Sequence, residues 1–321
     1  MDIAYLLWLQ ELRSMTGGIF DGLLEGISDL VISVYAYLFL AFVYWCVDKR
    51  AGIMAAMNIG IGNAVNQLVK NIFCVYRPWI RSSEIIPAGN AIATAGGYSF
   101  PSSHTQVAVA GFGSVAIWQK KKKGIVVFCI GMILLVMFSR NYLGVHTPQD
   151  VVGSLLLCSI VMALDYRLID WLDKNPERDI PVFLIGMLLC AAALVFMTIK
   201  PYPLDYAADG SVLVNPAKMI AEGYTGAGCA MGFLTGWILE RRFVNFEVPE
   251  TGTEKGITFL LGVGFLLVLA GVVCEPLKEM LKAMGDMGYC FSRLMYFFII
   301  YVYIMAGFPC LIKWMKKRKK I

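Results

Sequence analysis

Three short polar clusters lie between hydrophobic runs in the first half of the chain, at residues 70–78, 101–104 and 139–150. Both histidines of the 321-residue chain lie inside these clusters, beside strong cations and a carboxylate. Fixed cations beside histidines are typical of sites that handle phosphate groups. The candidate side chains are Lys70, Arg77, Ser102, Ser103, His104, Arg140, His146 and Asp150.

The first cluster contains two cations, Lys70 and Arg77, seven residues apart. Seven residues are two helical turns, so both side chains would project from one helix face. Pro78 would then end the helix locally and fix the direction of Arg77. A phosphoryl group in transfer carries negative charge that such cations stabilise. The alternative is that both side chains extend to lipid headgroups near a helix end.

The second cluster, Pro101-Ser102-Ser103-His104, opens an apolar run. Serine is a common N-cap, and Ser103 with Gln106 predicts a capping box. The free N–H groups of the first helical turn would form an anion site. The alternative is an ordinary capped helix with an incidental histidine.

The third cluster places His146 four residues before Asp150. Thr147 and Pro148 predict the N-cap and first residue of a helix, with Asp150 in its first turn. Asp150 could accept a hydrogen bond from one ring nitrogen of His146 and leave the other nitrogen free to attack. Asp150 could also simply cap the helix. Arg140, at the end of the preceding span, would face the same loop.

The composition is that of an integral membrane protein: 58% of the residues are apolar, 16% are charged, and the mean hydropathy is +0.67. The net charge of +5 comes from short basic blocks between apolar runs, which is typical of membrane topology and does not indicate a nucleic-acid partner. The nine cysteines form no C-x-x-C pair, which argues against a structural zinc site. Cys274 and Cys290 flank one loop and could pair in an oxidising compartment.

The hydropathy pattern predicts an all-α, polytopic membrane bundle of about nine transmembrane helices of roughly 20 residues each. Residues 1–27 predict an amphipathic interfacial helix, 28–166 a catalytic core of five spans, and 167–321 an extension of four spans with a basic cytoplasmic tail. In the extension, Gly228, Gly232 and Gly236 predict a smooth helix face, and packing inside the bundle is favoured over a dimer seam.

Lysine and arginine are unequally divided between the two sides of this topology, with 18 of the 28 on one side. The positive-inside rule places that side and the tail in the cytoplasm, and all three clusters on the other side. The chain contains no N-x-[ST] acceptor. We therefore expect a bacterial cytoplasmic membrane with an outward-facing site, with the endoplasmic reticulum membrane as the alternative.

The clusters read K-x6-R-P, P-S-x-H and S-R-x5-H-x3-D, and together they resemble the motifs of the type 2 phosphatidic acid phosphatase superfamily. The motif region covers about a quarter of the chain. The departure is Ser103, where the pattern has glycine; its side chain narrows the pocket but keeps the backbone N–H, as in sphingoid-phosphate phosphatases. The layout resembles the glucose-6-phosphatase and sphingosine-1-phosphate phosphatase branches.

The resemblance implies a phosphatase that needs no metal or cofactor and works through a phosphohistidine. By that resemblance His146 is the nucleophile and Asp150 its orienting partner. His104 would be the acid that protonates the leaving oxygen and then the base that activates water. The residues that would hold the phosphate oxygens are Lys70, Arg77, Arg140, Ser102 and the Ser103 N–H group.

The expected activity is hydrolysis of a lipid phosphate or diphosphate at the non-cytoplasmic face. Candidate substrates are a polyprenyl diphosphate, phosphatidic acid and a sphingoid phosphate. A phosphotransferase with the same site is an alternative, and so is a transporter of anionic lipid or sugar phosphate. A vanadate-binding haloperoxidase shares the motifs but is expected to be soluble. The oligomeric state is left open by the sequence.

Overall fold

The protein is helical throughout the part described by the computed structural model, residues 2–318. The one β feature of that part is an isolated bridge between Tyr206 and Val212. The helices are α1 (Asp2–Met15), α2 (Asp21–Leu30), α3 (Val34–Phe42), α4 (Lys49–Phe73), α5 (Pro78–Arg81), α6 (Ser103–Trp118), α7 (Lys123–Tyr142), α8 (Pro148–Lys174), α9 (Asp179–Ile199), α10 (Pro216–Leu239), α11 (Gly252–Val268), α12 (Glu275–Lys282), α13 (Asp286–Val302) and α14 (Phe308–Arg318).

Helix α4 lies at the centre of the bundle and packs against both α6 and α10. This position explains how the helix tolerates polar residues that lipid would not. Asn58, for example, is fully buried and donates a hydrogen bond from Nδ2 to Ser114 Oγ of α6 at 2.8 Å. Lys70 is buried in its last turn. The polar side chains of α4 therefore face the interior of the bundle.

The predicted count of nine transmembrane helices is not confirmed. In the described residues, five helical segments are long and apolar enough to cross a membrane, and a sixth exists if α2 and α3, which meet at a bend of 48°, form one span. Helix α6 has 16 residues, which is about 24 Å of helix and shorter than a hydrocarbon core of about 30 Å. Helix α4 is long enough but too polar.

The N-terminal segment differs from the prediction of one interfacial helix over residues 1–27. It forms two helices, α1 and α2, which are separated by a turn with positive φ at Gly17 and Gly18. Leu6 and Leu9 of α1 are buried together with Ile85, so this face packs on protein. The single-helix prediction is wrong because two adjacent glycines favour the left-handed backbone that ends α1.

The glycine face of α10 packs against α13, as predicted for close packing inside the bundle. A methyl group built on Gly228 would lie 2.4 Å from the Leu294 carbonyl oxygen, and one on Gly232 would lie 2.8 Å from that of Phe298. Such distances leave no room for any side chain. The two backbones can approach only because these positions are glycine.

Ion pairs join the catalytic half to the extension at the end of the bundle away from the three clusters. Arg241 bonds to Asp173 at 2.7 Å and to Asp179 at 2.8 Å, and Lys49 pairs with Glu240 at 2.7 Å. These residues belong to α4, α8, α9 and the turn after α10. Two of the basic blocks that were assigned to one side by the sequence, at residues 49–50 and 241–242, therefore lie together at one end.

All nine cysteines are free thiols. Cys274 and Cys290 are both buried and are not joined by a disulfide. Residues 319–321 of the predicted basic tail lie outside the described residues.

Candidate active site

The three clusters meet around one cavity of about 220 Å³. Its walls come from the end of α4, the loop between α5 and α6, the start of α6 and the loop between α7 and α8. Five of the eight predicted residues line it: Lys70, Arg77, Ser103, His104 and His146. The others, Ser102, Arg140 and Asp150, are buried behind this lining.

The two ring nitrogens of His146 have different surroundings. Arg77 Nη1 lies 2.8 Å from Nε2 and 3.5 Å from Nδ1, and Nδ1 also lies 3.4 Å from Ser99 Oγ and 3.6 Å from Asp150 Oδ2. Arginine can only donate, so Nε2 accepts and carries the lone pair. The ring proton then lies on Nδ1, towards the carboxylate. This geometry makes Nε2 the nitrogen that is able to attack an electrophile.

Asp150 both caps α8 and faces the His146 ring. Its Oδ2 atom accepts hydrogen bonds from the Thr147 backbone N–H at 2.7 Å and from the Thr147 hydroxyl at 3.0 Å. Thr147 is the N-cap and Pro148 the first helical residue, so the predicted start of this helix is confirmed. Asp150 Oδ2 also accepts from Ser99 Oγ at 2.7 Å, a partner that the sequence analysis missed. The carboxylate is therefore held by three donors.

Burial shifts the acid–base behaviour of the two loop residues in this group. Burial and the neighbouring Arg77 cation hold the pKa of His146 well below the usual histidine value, although Asp150 opposes that shift. Burial lowers the pKa of Arg77 to about 10, against the opposing effect of Asp150. At neutral pH the imidazole is therefore neutral and the guanidinium is charged, as a nucleophile and a phosphate ligand require.

Ser102, and not Ser103, is the N-cap of α6. Ser102 has extended backbone angles and its Oγ accepts from the Thr105 N–H at 3.4 Å. Ser103 is already helical, and its Oγ donates to Asn66 Oδ1 of α4 at 3.2 Å. The predicted capping box of Ser103 with Gln106 is wrong, because the helix begins one residue earlier than that pairing needs and Gln106 bonds to α4 instead.

The first turn of α6 presents two backbone donors at the cavity. The N–H groups of Ser103 and His104 have no hydrogen-bond partner in the described part of the chain, whereas those of Thr105 and Gln106 are satisfied by Ser102. Free N–H groups at a helix N-terminus attract anions. Ser103 and His104 also line the cavity, so these donors are positioned for a phosphate oxygen.

His104 is oriented by a residue that the sequence analysis missed. Its Nε2 atom lies 3.4 Å from Oδ1 of Asp29, in the last turn of α2. The same carboxylate oxygen lies 3.8 Å from Nη1 of Arg140 and accepts from Thr94 Oγ1 at 3.2 Å. A carboxylate at the start of an apolar span is costly in free energy, and this feature of the sequence could have identified Asp29 as a functional candidate.

Two further cations surround the histidines. Lys70 donates from Nζ to the Tyr98 carbonyl at 3.3 Å and lines the cavity. Arg140 is completely buried and donates from Nη1 to Ser28 Oγ at 2.9 Å, and among the described residues its Nε and Nη2 have no partner. Buried donors without acceptors are rare in folded proteins.

The extension also contributes to the cavity. Glu222 and Thr225 of α10 and Arg293 of α13 line it, and the sequence analysis named none of them. Glu222 and Arg293 are charged residues inside apolar segments, and this feature of the sequence could have identified them as candidates. An apolar groove of about 270 Å³ adjoins the cavity and shares four lining residues with it, Val31, Ala36, Ile59 and Val107.

Metal-binding side chains are not grouped near the site. Within the described residues, no three His, Cys, Asp or Glu side chains come together as a metal centre would need. The polar lining includes cations, histidines and helix N–H groups, which are donors suited to an anion, together with the carboxylate of Glu222 and several neutral polar side chains.

Family comparisons match two parts of the chain. Residues 51–174 match the PAP2 superfamily, and residues 224–320 match the transmembrane extension of PAP2 superfamily phosphatases. The Bacillus subtilis (strain 168) protein Undecaprenyl-diphosphatase BcrC is 30% identical over 166 residues, which are 51% of this chain and 81% of that protein. The chain belongs to the PAP2 superfamily.

Two other PAP2 relatives are also named phosphatases. Sphingosine-1-phosphate phosphatase 2 of Mus musculus is 26% identical over 259 residues, which are 75% of this chain and 66%, just under two thirds, of that protein. Lipid phosphate phosphatase delta of Arabidopsis thaliana is 24% identical over 187 residues, 53% of this chain and 42% of that protein. No solved structure matches. The resemblance drawn from the three motifs is confirmed.

The PAP2 match from 51 to 174 contains every predicted site residue. Asp29 precedes that match, and Arg293 lies within the matched extension. The cavity therefore combines PAP2 motif residues with side chains from both flanking parts of the chain.

Proposed function

We propose that the protein is a membrane phosphatase that hydrolyses a lipid phosphate or diphosphate through a phosphohistidine, without a metal ion. One observation supports this above all: His146, whose Nε2 is neutral, and His104 line one cavity with three cations and free helix N–H groups. A nucleophile, an acid and an oxyanion-binding wall are the parts that phosphoryl transfer requires.

In the first step, His146 Nε2 attacks the phosphorus while the bond from phosphorus to the leaving oxygen breaks. His104, which enters this step protonated, gives its proton to that oxygen. Asp150 faces Nδ1 and stabilises the positive charge of the phosphorylated ring. Lys70, Arg77 and the Ser103 N–H would bind the three non-bridging oxygens. Arg77 must then turn from Nε2 towards the phosphate.

In the second step, His104 takes a proton from water and the resulting hydroxide attacks the phosphorus. The bond from phosphorus to His146 breaks, inorganic phosphate forms, and His146 is neutral again. His104 is left protonated, ready for the next substrate. The cycle therefore consumes one water and needs no other reactant.

A lipid substrate is supported by the apolar groove beside the cavity. The groove is lined by α3 and α6 side chains, among them Tyr35, Phe39 and Phe112. A substrate with its phosphate in the cavity would lay its first apolar carbons there, where each buried CH2 contributes about 0.8 kcal/mol. The names of the relatives, which specify lipid phosphates and a polyprenyl diphosphate, agree with this substrate class.

We place the site at the non-cytoplasmic face and propose that nine segments lie in the bilayer: the five long apolar segments, the bent pair of α2 and α3, and α4, α6 and α10, which the surrounding bundle shields from lipid. The positive-inside distribution supports this, because the basic blocks at residues 49–50 and 241–242 lie together at the opposite end of the bundle. The proposed location is a bacterial cytoplasmic membrane, with the endoplasmic reticulum as the alternative.

Phosphate release by the detergent-purified protein, with and without EDTA, tests the proposal. The panel contains phosphatidic acid, a sphingoid phosphate, a polyprenyl diphosphate and glucose 6-phosphate. We expect chelator-resistant release that His146→Ala abolishes, and a phosphorylated protein that accumulates when His104 is replaced. Phosphate appearing on an acceptor, and not in solution, would establish a phosphotransferase instead. Intact substrate crossing proteoliposomes would indicate a transporter.

A further inference from the structure

Part of the cavity wall comes from α10 and α13 and has no task in the mechanism above. Arg293 of α13 is the cation of this wall, and Thr225 of α10 lies beside it. A charged side chain in a membrane helix is costly unless a partner or a ligand compensates its charge. The groups around Arg293 therefore show whether a protein partner or a ligand compensates its charge.

Arg293 is held at one edge and open at the other. Its Nε donates to Thr225 Oγ1 at 2.6 Å, and the Thr225 hydroxyl donates in turn to the Ala221 carbonyl at 3.2 Å. Neither Nη group has a hydrogen-bond partner in the described part of the chain, and no carboxylate there lies within 4 Å of it. A fixed guanidinium with two free amino groups has the geometry that binds phosphate or carboxylate in a bidentate manner.

The position of Thr225 along the bundle follows from contacts between α10 and α4. A methyl group built on Gly223 would lie 3.9 Å from Asn71 Nδ2, and one on Gly226 would lie 3.1 Å from Ala64 Cα. Thr225 lies between Gly223 and Gly226 in α10, and therefore between the levels of Asn71 and Ala64 along α4. It therefore lies about one helical turn, ~5 Å, deeper in the bundle than the lysine of the first cluster.

Glu222 is the carboxylate of the same wall. It lies at the level of the first-cluster cations, nearer the end of the bundle than Thr225. A methyl group built on Gly97 would lie 3.8 Å from Glu222 Oε2, and the Gly97 carbonyl accepts from Arg77 Nε at 3.1 Å. Glu222 thus lies beside the cations assigned to the reacting phosphate. Arg293 lies one turn deeper and has no carboxylate within 4 Å among the described residues. The cavity therefore has two levels at which an anion can bind.

We propose that Arg293, positioned by Thr225, binds the second phosphate of a lipid diphosphate, which makes this substrate class the preferred one. This inference rests on the proposed function of the His146 site. The bond that breaks joins the reacting phosphorus to the bridging oxygen, and His104 protonates that oxygen. The leaving group is the lipid monophosphate, whose negative charge Arg293 stabilises as it develops.

The test compares two substrates with the same tail, farnesyl diphosphate and farnesyl monophosphate, on the purified full chain. We expect Arg293→Gln to lower kcat/KM for the diphosphate by about 10- to 100-fold, and for the monophosphate by less than about 3-fold. Thr225→Val, which removes the positioning hydroxyl, should give the same pattern with a smaller loss. Arg178→Gln, an exposed arginine at the other end of the bundle, serves as the matched control and should change neither rate.

A binding measurement separates this inference from the catalytic proposal. Inorganic pyrophosphate should raise the thermal midpoint of the wild-type protein more than inorganic phosphate does, and Arg293→Gln should remove that difference. Equal losses on both farnesyl substrates, with pyrophosphate stabilisation unchanged in Arg293→Gln, would overturn the second subsite. If the wild-type protein cleaves neither substrate but still shows Arg293-dependent pyrophosphate binding, the catalytic proposal fails and the subsite stands.

Discussion

The two histidines of the site are held by different parts of the chain. His146 has its partners in neighbouring loops and in the first turn of α8, and three donors fix the Asp150 carboxylate that faces it. His104 has one side-chain partner among the described residues, Asp29, which comes from α2. The proton transfer assigned to His104 therefore depends on a single distant carboxylate, which acts as a positioning residue.

Asp29→Asn should slow cleavage of substrates with poor leaving groups by about 10- to 100-fold, because it removes the charge that supports protonated His104. With 4-nitrophenyl phosphate, whose leaving group needs no proton, the loss should be within about 3-fold. Steady-state rates on the two substrate types check this. Glu11→Gln, an exposed residue of α1, is the control. Equal losses on both substrates would mean that Asp29 acts on folding or on phosphate binding, and not on the acid.

The ring of His146 should stay neutral through the pH range in which ordinary histidines titrate, about pH 5.5–7.5. Burial and Arg77 lower its pKa, so its proton is added only at a lower pH. Because the chain has two histidines, His104→Gln leaves one imidazole signal to follow by NMR with labelled histidine. Arg77→Gln should move the titration back towards the usual value. A normal titration of His146 in the protein with Arg77 intact would contradict the charge arrangement described above.

Among the helices, the contact of α10 with α13 connects packing to function most directly. It brings the backbones together at Gly228 and Gly232, and the same pair of helices carries Thr225 and Arg293. A displacement of either helix would separate the guanidinium from the hydroxyl that orients it. Stability and diphosphate preference should therefore depend on this contact together.

Gly232→Ala should destabilise the protein by about 1–3 kcal/mol, because the new methyl group would lie 2.8 Å from the Phe298 carbonyl oxygen. Thermal unfolding in detergent measures this. Gly264→Ala in α11 is the matched control, since nothing lies within 4 Å of a methyl group there. The control should be neutral or slightly stabilising, because alanine favours a helix over glycine. A Gly232→Ala protein as stable as the control would rule out the tight contact.

Local spacing predicted the contacts within the third cluster, whereas it could not predict long-range packing. The links between Thr147, Pro148 and Asp150 span a few residues, so the chain itself dictates them. Asp29 lies 75 positions from His104 and Thr225 lies 68 positions from Arg293, and only the fold brings such pairs together. The number of transmembrane helices was also difficult to predict, because it too depends on long-range packing. Buried helices such as α4 can be polar, and hydropathy alone does not reveal which neighbours shield them.

At the scale of the whole molecule, the matched family region and its extension are joined at both ends. Arg241, Asp173 and Asp179 connect them at one end, and the shared cavity connects them at the other. The extension is thus part of the active-site wall, although every motif residue lies before it. Removing it would open the cavity and would also remove Arg293.

The two ends should face opposite sides of the membrane. We expect Asp209→Cys, in the exposed loop on the active-site end, to react with an impermeant maleimide in intact cells, and Glu177→Cys at the other end to react only after permeabilisation. Cys310→Ser removes the native thiol with an exposed side chain, and the same labelling of that background is the control. The reverse pattern would place the active site in the cytoplasm.

The hydrogen bond from Arg77 to His146 has a consequence for the protein between turnovers. While the cavity holds no anion, the reactive lone pair is occupied by the Arg77 Nη1 donor at 2.8 Å. An uncharged electrophile that enters the cavity has nothing with which to draw the guanidinium away, so the imidazole stays protected from alkylation. A phosphate group carries the negative charge that draws the Arg77 guanidinium away from His146. In the protein without substrate, Arg77 therefore blocks the reactive nitrogen of His146, and the substrate phosphate itself removes that block.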